Sequence, residues 1–303
     1  MIVDKLILNS YAKLNLYLSV LNKRPDRYHN ISTLFERISL YDKIALKNRL
    51  DAKIRVSSDS PCLPKDQTQN LAYRAAQLLQ DVYAPDKGVD IKIAKRIPVG
   101  AGLGGGSSNA ASVILGLNKL WALSLSRDKL VRLAKKLGSD VAFFLYDCPF
   151  ALGGNKGDKI KELKTLKNTR LWHILIVPKI HVSTPFIYKG WDSLLASDKS
   201  KIAGLTRARY DVKMLLLAIK KKDLSLIYPR MFNSLQQVTT KVYPAVGRII
   251  KALLKLGLKA ILMSGSGPAV FAIVLSGKEA ATLSRRLKLE NKQFRVFVVR
   301  TAA

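Results

Sequence analysis

Residues 98–111 read PVGAGLGGGSSNAA, and no other stretch limits so tightly what the chain can fold into. Glycines stand at 100, 102, 104, 105 and 106, followed by Ser107, Ser108 and Asn109 and then a run that suits only a helix. Glycine takes positive φ without strain and lets a ligand come close to the backbone. Ser107, Ser108 and Asn109 are all residue types that cap helix N-termini. Behind them Ala110, Ile114, Leu117 and Trp121 recur at helical spacing, with Val113 alongside; in front, Val89, Ile91 and Ile93 alternate as a strand does. Strand, glycine loop and helix start bring backbone N–H groups and the positive end of a helix to one point. That point favours an anion, and phosphate is the usual one. A glycine turn with no ligand is the plain alternative, but such a run is costly backbone to keep idle.

The loop is not a Walker loop, which needs Lys and then Ser or Thr after its last glycine; here Gly106 is followed by Ser107. Gly100, Gly102 and Gly105 fit the dinucleotide spacing. That pattern also wants an acid about 20 residues on, closing a second strand, and the chain beyond Leu120 reads instead as another helix. No His-Arg-Asp or Asp-Phe-Gly follows, so a protein-kinase glycine loop is excluded as well.

The chain has 303 residues, 48% of them apolar, enough for a substantial core in two domains or one large one. No run of about 18 apolar residues suggests a membrane span, and the N-terminus lacks a signal peptide's layout; a cytoplasmic location is expected. Cys62 and Cys148 make neither a disulfide framework nor a metal spacing. The 52 Lys and Arg against 21 Asp and Glu leave a formal charge of +31, a balance that suits nucleic acid, membrane surfaces or phosphorylated small molecules. The lysines are spread along the chain with no basic tail. They therefore read as a solvated surface that still draws anionic substrates inward.

In chain order, residues 6–20 read as a half-buried strand: Leu14, Leu16, Leu18 and Val20 on one face, Lys13, Asn15, Tyr17 and Ser19 on the other. Lys13 and Asn15 then lie about 7 Å apart on one face, either a wet face or the lining of a polar site. A turn precedes Tyr28 and His29; a lone histidine is structural by default. Residues 41–57 suggest a strand pair with its turn near residues 48–52. An amphipathic helix from Asn70 buries Leu71, Ala75, Leu78 and Leu79. Ser126 caps a helix carrying Leu130, Val131, Ala134 and Leu137, ended by Gly138 in the left-handed region. Asp140 opens an apolar segment, where an acid is ordinarily a cap and alternatively a base. Residues 154–170 mark a domain boundary, and His173 in the following strand reads as a core histidine. Thr184-Pro185 starts a helix. Helices over 210–220 and 235–256, a second glycine loop at 264–268 between two strands, a helix near 279–287 and a strand near 294–299 complete the chain.

Three segments together resemble the GHMP kinase superfamily: Ala12-Lys13-Leu14-Asn15-Leu16, the loop at 98–111, and Ser264-Gly265-Ser266-Gly267-Pro268. Tyr28-His29, Asn70-Leu71, Lys95-Arg96-Ile97-Pro98, Gly138-Ser139-Asp140-Val141 and Thr184-Pro185 with Tyr188-Lys189 are similar, in order and spacing, to the branch acting on a cytidyl-diphosphate-linked methylerythritol in non-mevalonate isoprenoid synthesis. The resemblance spans nearly the whole chain, and the triple-glycine form Gly104-Gly105-Gly106 is its specific mark. It implies an α+β fold of two domains. Residues 1–162 form an ATP-binding, ribosomal-protein-S5-domain-2-like α/β domain, and residues 163–303 a ferredoxin-like α+β domain.

The implied activity is transfer of the ATP γ-phosphoryl to the acceptor's 2-hydroxyl, with Asp140 as base and Lys13 as catalytic lysine. ATP is implied to lie against Asn70, Leu71, Lys95, Pro98, Gly100, Gly102, Leu103, Gly104, Gly105, Gly106, Ser107, Ser108 and Asn109, with Mg²⁺ beside Ser107 or Ser108. Asn15 and Lys189 are implied acceptor contacts, His29 the cytosine reader, and Tyr28 and Tyr188 its stacking aromatics. The implied partner is a small molecule, with no nucleic acid, no membrane and at most a weak homodimer. Ala142, where proline is common, and Gly154-Asn155-Lys156-Gly157-Asp158, with one extra residue and an Asp where Gly-x-Gly-Glu is usual, depart from the pattern. Two rivals remain: a basic nucleic-acid-binding module, which leaves the glycine loop unexplained, and another small-molecule GHMP kinase, against which the Tyr28-His29 and Tyr188-Lys189 pairs argue.

Overall fold

A computed structural model describes residues 4–61, 66–197, 211–290 and 293–302. Two long strands open the chain: β1 (Lys5–Lys23) and β2 (His29–Arg49), paired antiparallel. Then come β3 (Ile54–Ser58), α1 (Leu71–Tyr83), β4 (Gly88–Ala94), α2 (Gly105–Leu120), α3 (Arg127–Leu137), a 3₁₀ segment (Ser139–Leu145), β5 (Phe150–Gly154) and β6 (Lys159–Glu162). The first sheet runs β3-β4-β2-β1, with β5 on β2 and β6 on β5. One length of β2 pairs with β4 and another with β5, so its 21 residues serve two neighbours on the same edge.

The second half holds β7 (Trp172–Pro178), α4 (Thr184–Ser197), α5 (Asp211–Lys221), α6 (Leu224–Ile227), β8 (Phe232–Asn233), α7 (Gln236–Val242), α8 (Pro244–Lys255), β9 (Ile261–Met263), β10 (Val270–Val274), α9 (Gly277–Glu290) and β11 (Phe294–Arg300). Its antiparallel sheet runs β11-β7-β10-β9. Strand β8 crosses back to pair parallel with Tyr17 and Leu18 of β1. The α+β class implied by the resemblance is the class observed.

Three large apolar cores follow from this layout among the described residues, beside a small cluster of Phe35, Phe143, Cys148 and Ala151. One packs α1, α2 and α3 on β2 and β4 through Ile44, Leu46, Leu79, Ile91, Ile114 and Leu117. One packs α4, α7, α8 and α9 on the second sheet. The third joins the halves, setting Leu14, Leu16 and Leu34 against Leu175, Leu215 and Phe271. Each such side chain removed from water contributes about 1.5–3 kcal/mol.

Several expectations are corrected. The strand at 6–20 is not half-buried: every residue from Ala12 to Val20 is buried, because the second half of the chain covers the face carrying Lys13 and Asn15. β3 does not form a hairpin with β2; it runs parallel to β4, which lies between them. Helix α1 buries Ala72, Ala75, Ala76 and Leu79, leaving Leu71 and Leu78 half-buried. Gly138 has φ 169°, extended rather than left-handed. The helix expected over 235–256 is two, since Tyr243 takes a non-helical conformation and Pro244 opens α8. Tyr210 and Cys62 lie outside the described residues. Cys148 is a free thiol, and burial pushes its pKa up to about 11.

Candidate active site

The glycine loop is built from alternating left-handed residues: Gly100, Gly102 and Gly104 have φ of 67°, 75° and 68°. A side chain at Gly102 would run into the carbonyl of Ser264, and one at Gly104 would press on Lys13 and Phe144. Gly106 differs: its φ is not positive, and an added Cβ would meet only Leu71 Cδ1, at 3.6 Å. The fold itself therefore tolerates a methyl group there, and the space belongs to whatever enters the cavity.

Helix α2 begins two residues before the serines, capped by Gly104 without any side-chain bond. This corrects the expectation that Ser107, Ser108 or Asn109 is the cap. The helical ladder starts with Ser108 N donating to Gly104 O at 2.8 Å. The N–H groups of the turn before it are left for a ligand, at the positive end of a 16-residue helix.

The second glycine loop holds the first in place. Ser264 Oγ donates to Gly102 O at 3.1 Å and accepts from Asn15 N at 3.3 Å, while Ala269 N donates to Ala101 O at 3.2 Å. Lys13 N donates to Leu103 O at 3.0 Å, next to a register shift in the β1–β2 pairing. The bulge thus releases a backbone donor to the loop. Thr184 and Ser266, both from the second half, join hydroxyls at 2.8 Å beside this seam, and the Ser264 bonds to Gly102 and Asn15 are where the two halves meet.

Beneath the loop lies a hub that sequence reasoning missed. Asp42, fully buried on β2, accepts from Arg96 N at 2.7 Å, Ile97 N at 2.8 Å, Lys95 Nζ at 2.5 Å and Asn109 Nδ2 at 2.9 Å. Asn109 also donates to Ser10 Oγ at 2.9 Å, and Ser10 donates to Ser108 Oγ at 2.8 Å. One carboxylate thereby ties the chain entering the loop to the first turn of α2. Asn70, which caps α1 through Ala72 N at 2.9 Å, also lines the cavity.

Lys13 and Asp140 meet at the centre. Lys13 Nζ lies 3.6 Å from Asp140 Oδ2; the lysine side chain is 4% exposed and the carboxylate 31%. Burial lowers the Lys13 pKa, and the charge and hydrogen bond of Asp140 oppose that fall. Lys13 also donates to Asn15 Oδ1, whose Nδ2 donates to Thr33 Oγ1 at 2.8 Å. Thr33 fixes which way the Asn15 amide points, and Asn15 in turn aims the ammonium. Asp140 sits in the first turn of the 3₁₀ segment after Gly138 and makes no capping bond, so the cap reading fails on geometry.

At the other end of the cavity, His29 Nε2 is 2.6 Å from Asp192 Oδ1, and its ring stacks on Tyr188 at 5.1 Å and 28°. Burial raises the Tyr188 pKa, with a smaller push from Asp140. Tyr28 is exposed, and Lys156 Nζ lies 4.6 Å over its ring. Lys156 comes from the 154–158 turn, in which Asn155 takes φ 58° and its Nδ2 donates to Asp158 Oδ1 at 2.7 Å. His173 is a core residue as expected, its Nε2 2.9 Å from Glu36 Oε1.

One cavity of about 1120 Å³ connects all of this. It brings together every residue singled out above as catalytic, nucleotide-binding or acceptor-binding except Ser108, which is buried with its hydroxyl on Ser10. Of the two serines, Ser107 faces the cavity. Sequence reasoning missed Asp192 and Lys23 on the wall, and gave no role there to Lys156 or Ser266, which it had named only within the 154–158 and 264–268 segments. Among the described residues, no three His, Cys, Asp or Glu side chains cluster as a metal site.

The GHMP kinases N terminal domain matches residues 70–148 and the GHMP kinases C terminal family matches residues 215–293. A 4-diphosphocytidyl-2-C-methyl-D-erythritol kinase of Bacillus subtilis (strain 168) is 42% identical over 87% of this chain and 86% of its own. One of Acetivibrio thermocellus is 36% identical over 99% of this chain and 100% of its own. A crystal structure of 4-(cytidine 5'-diphospho)-2C-methyl-D-erythritol kinase superposes with TM-score 0.77 at 30% identity, covering 98% of this chain and 100% of the other. A homoserine kinase from Cytophaga hutchinsonii, TM-score 0.76 at 20% identity over 100% of this chain and 96% of its own, shares the fold.

Proposed function

The chain belongs to the GHMP kinases, and from that premise we propose that it transfers the γ-phosphoryl of ATP to the 2-hydroxyl of 4-diphosphocytidyl-2-C-methyl-D-erythritol, in the cytoplasm, as a step of isoprenoid precursor synthesis. The observation that carries the reading is that one cavity is lined by the glycine loop with the start of α2, by the stacked His29 and Tyr188, and by the Lys13–Asp140 pair. The division into residues 1–162 and 163–303 puts the nucleotide loop in the first domain and Tyr188, Lys189 and the clamping loop in the second.

In this reading Asp140 accepts the proton of the acceptor hydroxyl. Lys13, held 3.6 Å away, holds that carboxylate in place and offsets charge on the phosphoryl in transit. A positioned base of this kind supplies about 10²–10⁴ in rate. Asn15, with both polar groups engaged, aims Lys13. The free N–H groups at the start of α2 bind phosphate oxygens, and Gly106 leaves the space they need. Asn70, Leu71 and Lys95 line the nucleotide's end. The chemistry of the wall fits Mg²⁺ held chiefly by the nucleotide, with Ser107 as the protein hydroxyl beside it. When bound, the ion neutralises phosphate charge.

At the far end, His29 reads the cytosine edge, Tyr28 and Tyr188 flank the base, and Lys189 meets the acceptor. A coupled ADP-release assay over a panel tests the whole reading: the cytidyl-diphosphate-linked acceptor, methylerythritol phosphate without the cytidyl group, homoserine and mevalonate. Turnover confined to the first is the expected result. Equal turnover of methylerythritol phosphate would overturn it.

A further inference from the structure

The proposal rests on the acceptor assignment just made and goes one residue beyond it. Helix α4 carries Tyr188 and Asp192 four residues apart, on one face, and both touch His29. Tyr188 holds the ring by its face, at 5.1 Å, and Asp192 Oδ1 holds it at Nε2, at 2.6 Å. The imidazole is thus fixed in position and in rotation by one helix, with its side chain only 4% exposed. Its Nδ1 has no hydrogen-bond partner among the described residues, and the ring lines the cavity. His173 differs, because its unpartnered Nδ1 is sealed inside the protein.

We propose that Asp192 is a positioning residue that locks His29 in the Nε2-protonated tautomer, so that Nδ1 accepts from the exocyclic amine of a 4-aminopyrimidine and turns away the carbonyl of a uracil. A carboxylate only accepts, so the hydrogen in the His29–Asp192 bond sits on Nε2 and the neutral ring offers a lone pair at Nδ1. Lys23 holds the other oxygen, Nζ to Oδ2 at 2.5 Å, and so already balances the carboxylate's charge. Burial works to raise the Asp192 carboxyl, but the hydrogen bonds and charges of Lys23 and His29 prevail and hold it below its ordinary range. It stays an acceptor. A base carrying a carbonyl where cytosine has its amine would face Nδ1 acceptor to acceptor, leaving both unpaired. Sites built to hydrogen-bond one partner reject its analogue strongly for this reason.

The test uses two acceptors identical except for cytosine or uracil, and the wild-type, Asp192→Ala and Asp192→Asn proteins. The readouts are the ratio of kcat/KM values for the two bases and the tautomer of His29, read from nitrogen-detected NMR of histidine-labelled protein. The wild type is expected to show Nε2-protonated His29 and a ratio of at least about 10². In Asp192→Ala the ratio falls at least tenfold, the loss appears in KM for the cytosine acceptor rather than in kcat, and the Nδ1-protonated form appears. Asp192→Asn, whose amide serves either tautomer, falls between. An unchanged ratio and tautomer in Asp192→Ala overturns the proposal, as does a wild-type His29 protonated on Nδ1. A wild type inactive on both acceptors counts against the functional reading instead, and the tautomer shift in Asp192→Ala then decides this inference alone.

Discussion

Asp140→Asn removes one charge from a pair whose lysine is buried and whose carboxylate is partly exposed, 3.6 Å apart. At an effective dielectric near 20 the gross attraction is about 4–5 kcal/mol. The net effect is smaller. Asparagine keeps an oxygen of the same reach, Lys13 keeps Asn15 Oδ1, and water screens the exposed side of the carboxylate. A loss of about 1–3 kcal/mol is expected, less than the ~3–5 kcal/mol typical of breaking a fully buried pair; in a chain this size it lowers Tm by several degrees. The pH dependence has a definite sign. Burial already depresses the folded-state pKa of Lys13 below its ordinary value, and Asp140 is what pulls it back up. Without Asp140 the folded pKa drops further, the unfolded chain binds more protons between the folded and unfolded values, and stability rises with pH across that window. The stability penalty of Asp140→Asn is therefore largest near neutrality and shrinks towards pH 10. Catalysis behaves otherwise: kcat falls by about 10²–10⁴ and does not recover at high pH, because the amide never accepts the proton. Thermal melts at pH 7 and 9.5 beside steady-state ADP release separate the two effects. Retention of more than a tenth of kcat refutes Asp140 as base, and a penalty equal at both pH values refutes its coupling to Lys13.

Two further changes probe the nucleotide end. Gly106→Ala places a methyl where the fold has room, in a helical conformation alanine prefers; Tm holds or rises while the dissociation constant for ATP, measured by calorimetry, increases at least tenfold. Gly105 is a poor site for this test, since any Cβ there would sit 3.0 Å from Ile97 Cγ2 and disturb the core. Ser107→Ala and Ser108→Ala should divide cleanly: the first raises the Mg²⁺ concentration needed for half-maximal rate, and the second leaves that unchanged but loses about 1 kcal/mol of stability in a urea melt, the usual net worth of one hydrogen bond.

Local features of the site were legible because they are written in short stretches. Alternation marks β4, a 3.6-residue period marks α2, and the glycines between them force a left-handed path, so the strand, loop and helix start are readable from residues 88–120 alone. The same alternation put Lys13 and Asn15 on one face correctly and misjudged its burial. What covers that face is remote: Ser264, which binds Asn15 N, lies 249 residues away. His29 read as an ordinary structural histidine for the same reason, because the two residues that define it, Tyr188 and Asp192, belong to a helix in the other half of the chain. The strand pair expected over 41–57 failed where a crossover intervened, since nothing local announces that β4 will slot between β2 and β3.

Asp42 is the instructive omission, because its signal was present. On β2 the positions 42, 44 and 46 are all fully buried, and 43 is exposed, so the inward face reads Asp42, Ile44, Leu46. An acid on the apolar face of an alternating strand has two outcomes. It is protonated, or it is surrounded by donors, since an unpaired buried charge costs several kcal/mol. Glu36, on the same strand between buried Leu34 and Ile38, obeys the same logic with His173 and Thr301 as its partners. Lys95, five residues before the first left-handed glycine of the loop, is a cation on the adjacent strand's exit. The pairing register makes the contact almost unavoidable, because Lys43 faces Ala94 across β2 and β4 and so brings Asp42 beside Lys95. Lys95 therefore has two duties: one end of a buried ion pair, and part of the cavity wall. The carboxylate that anchors it is what lets a glycine-rich loop, poor in side-chain contacts of its own, keep a single shape before any phosphate arrives.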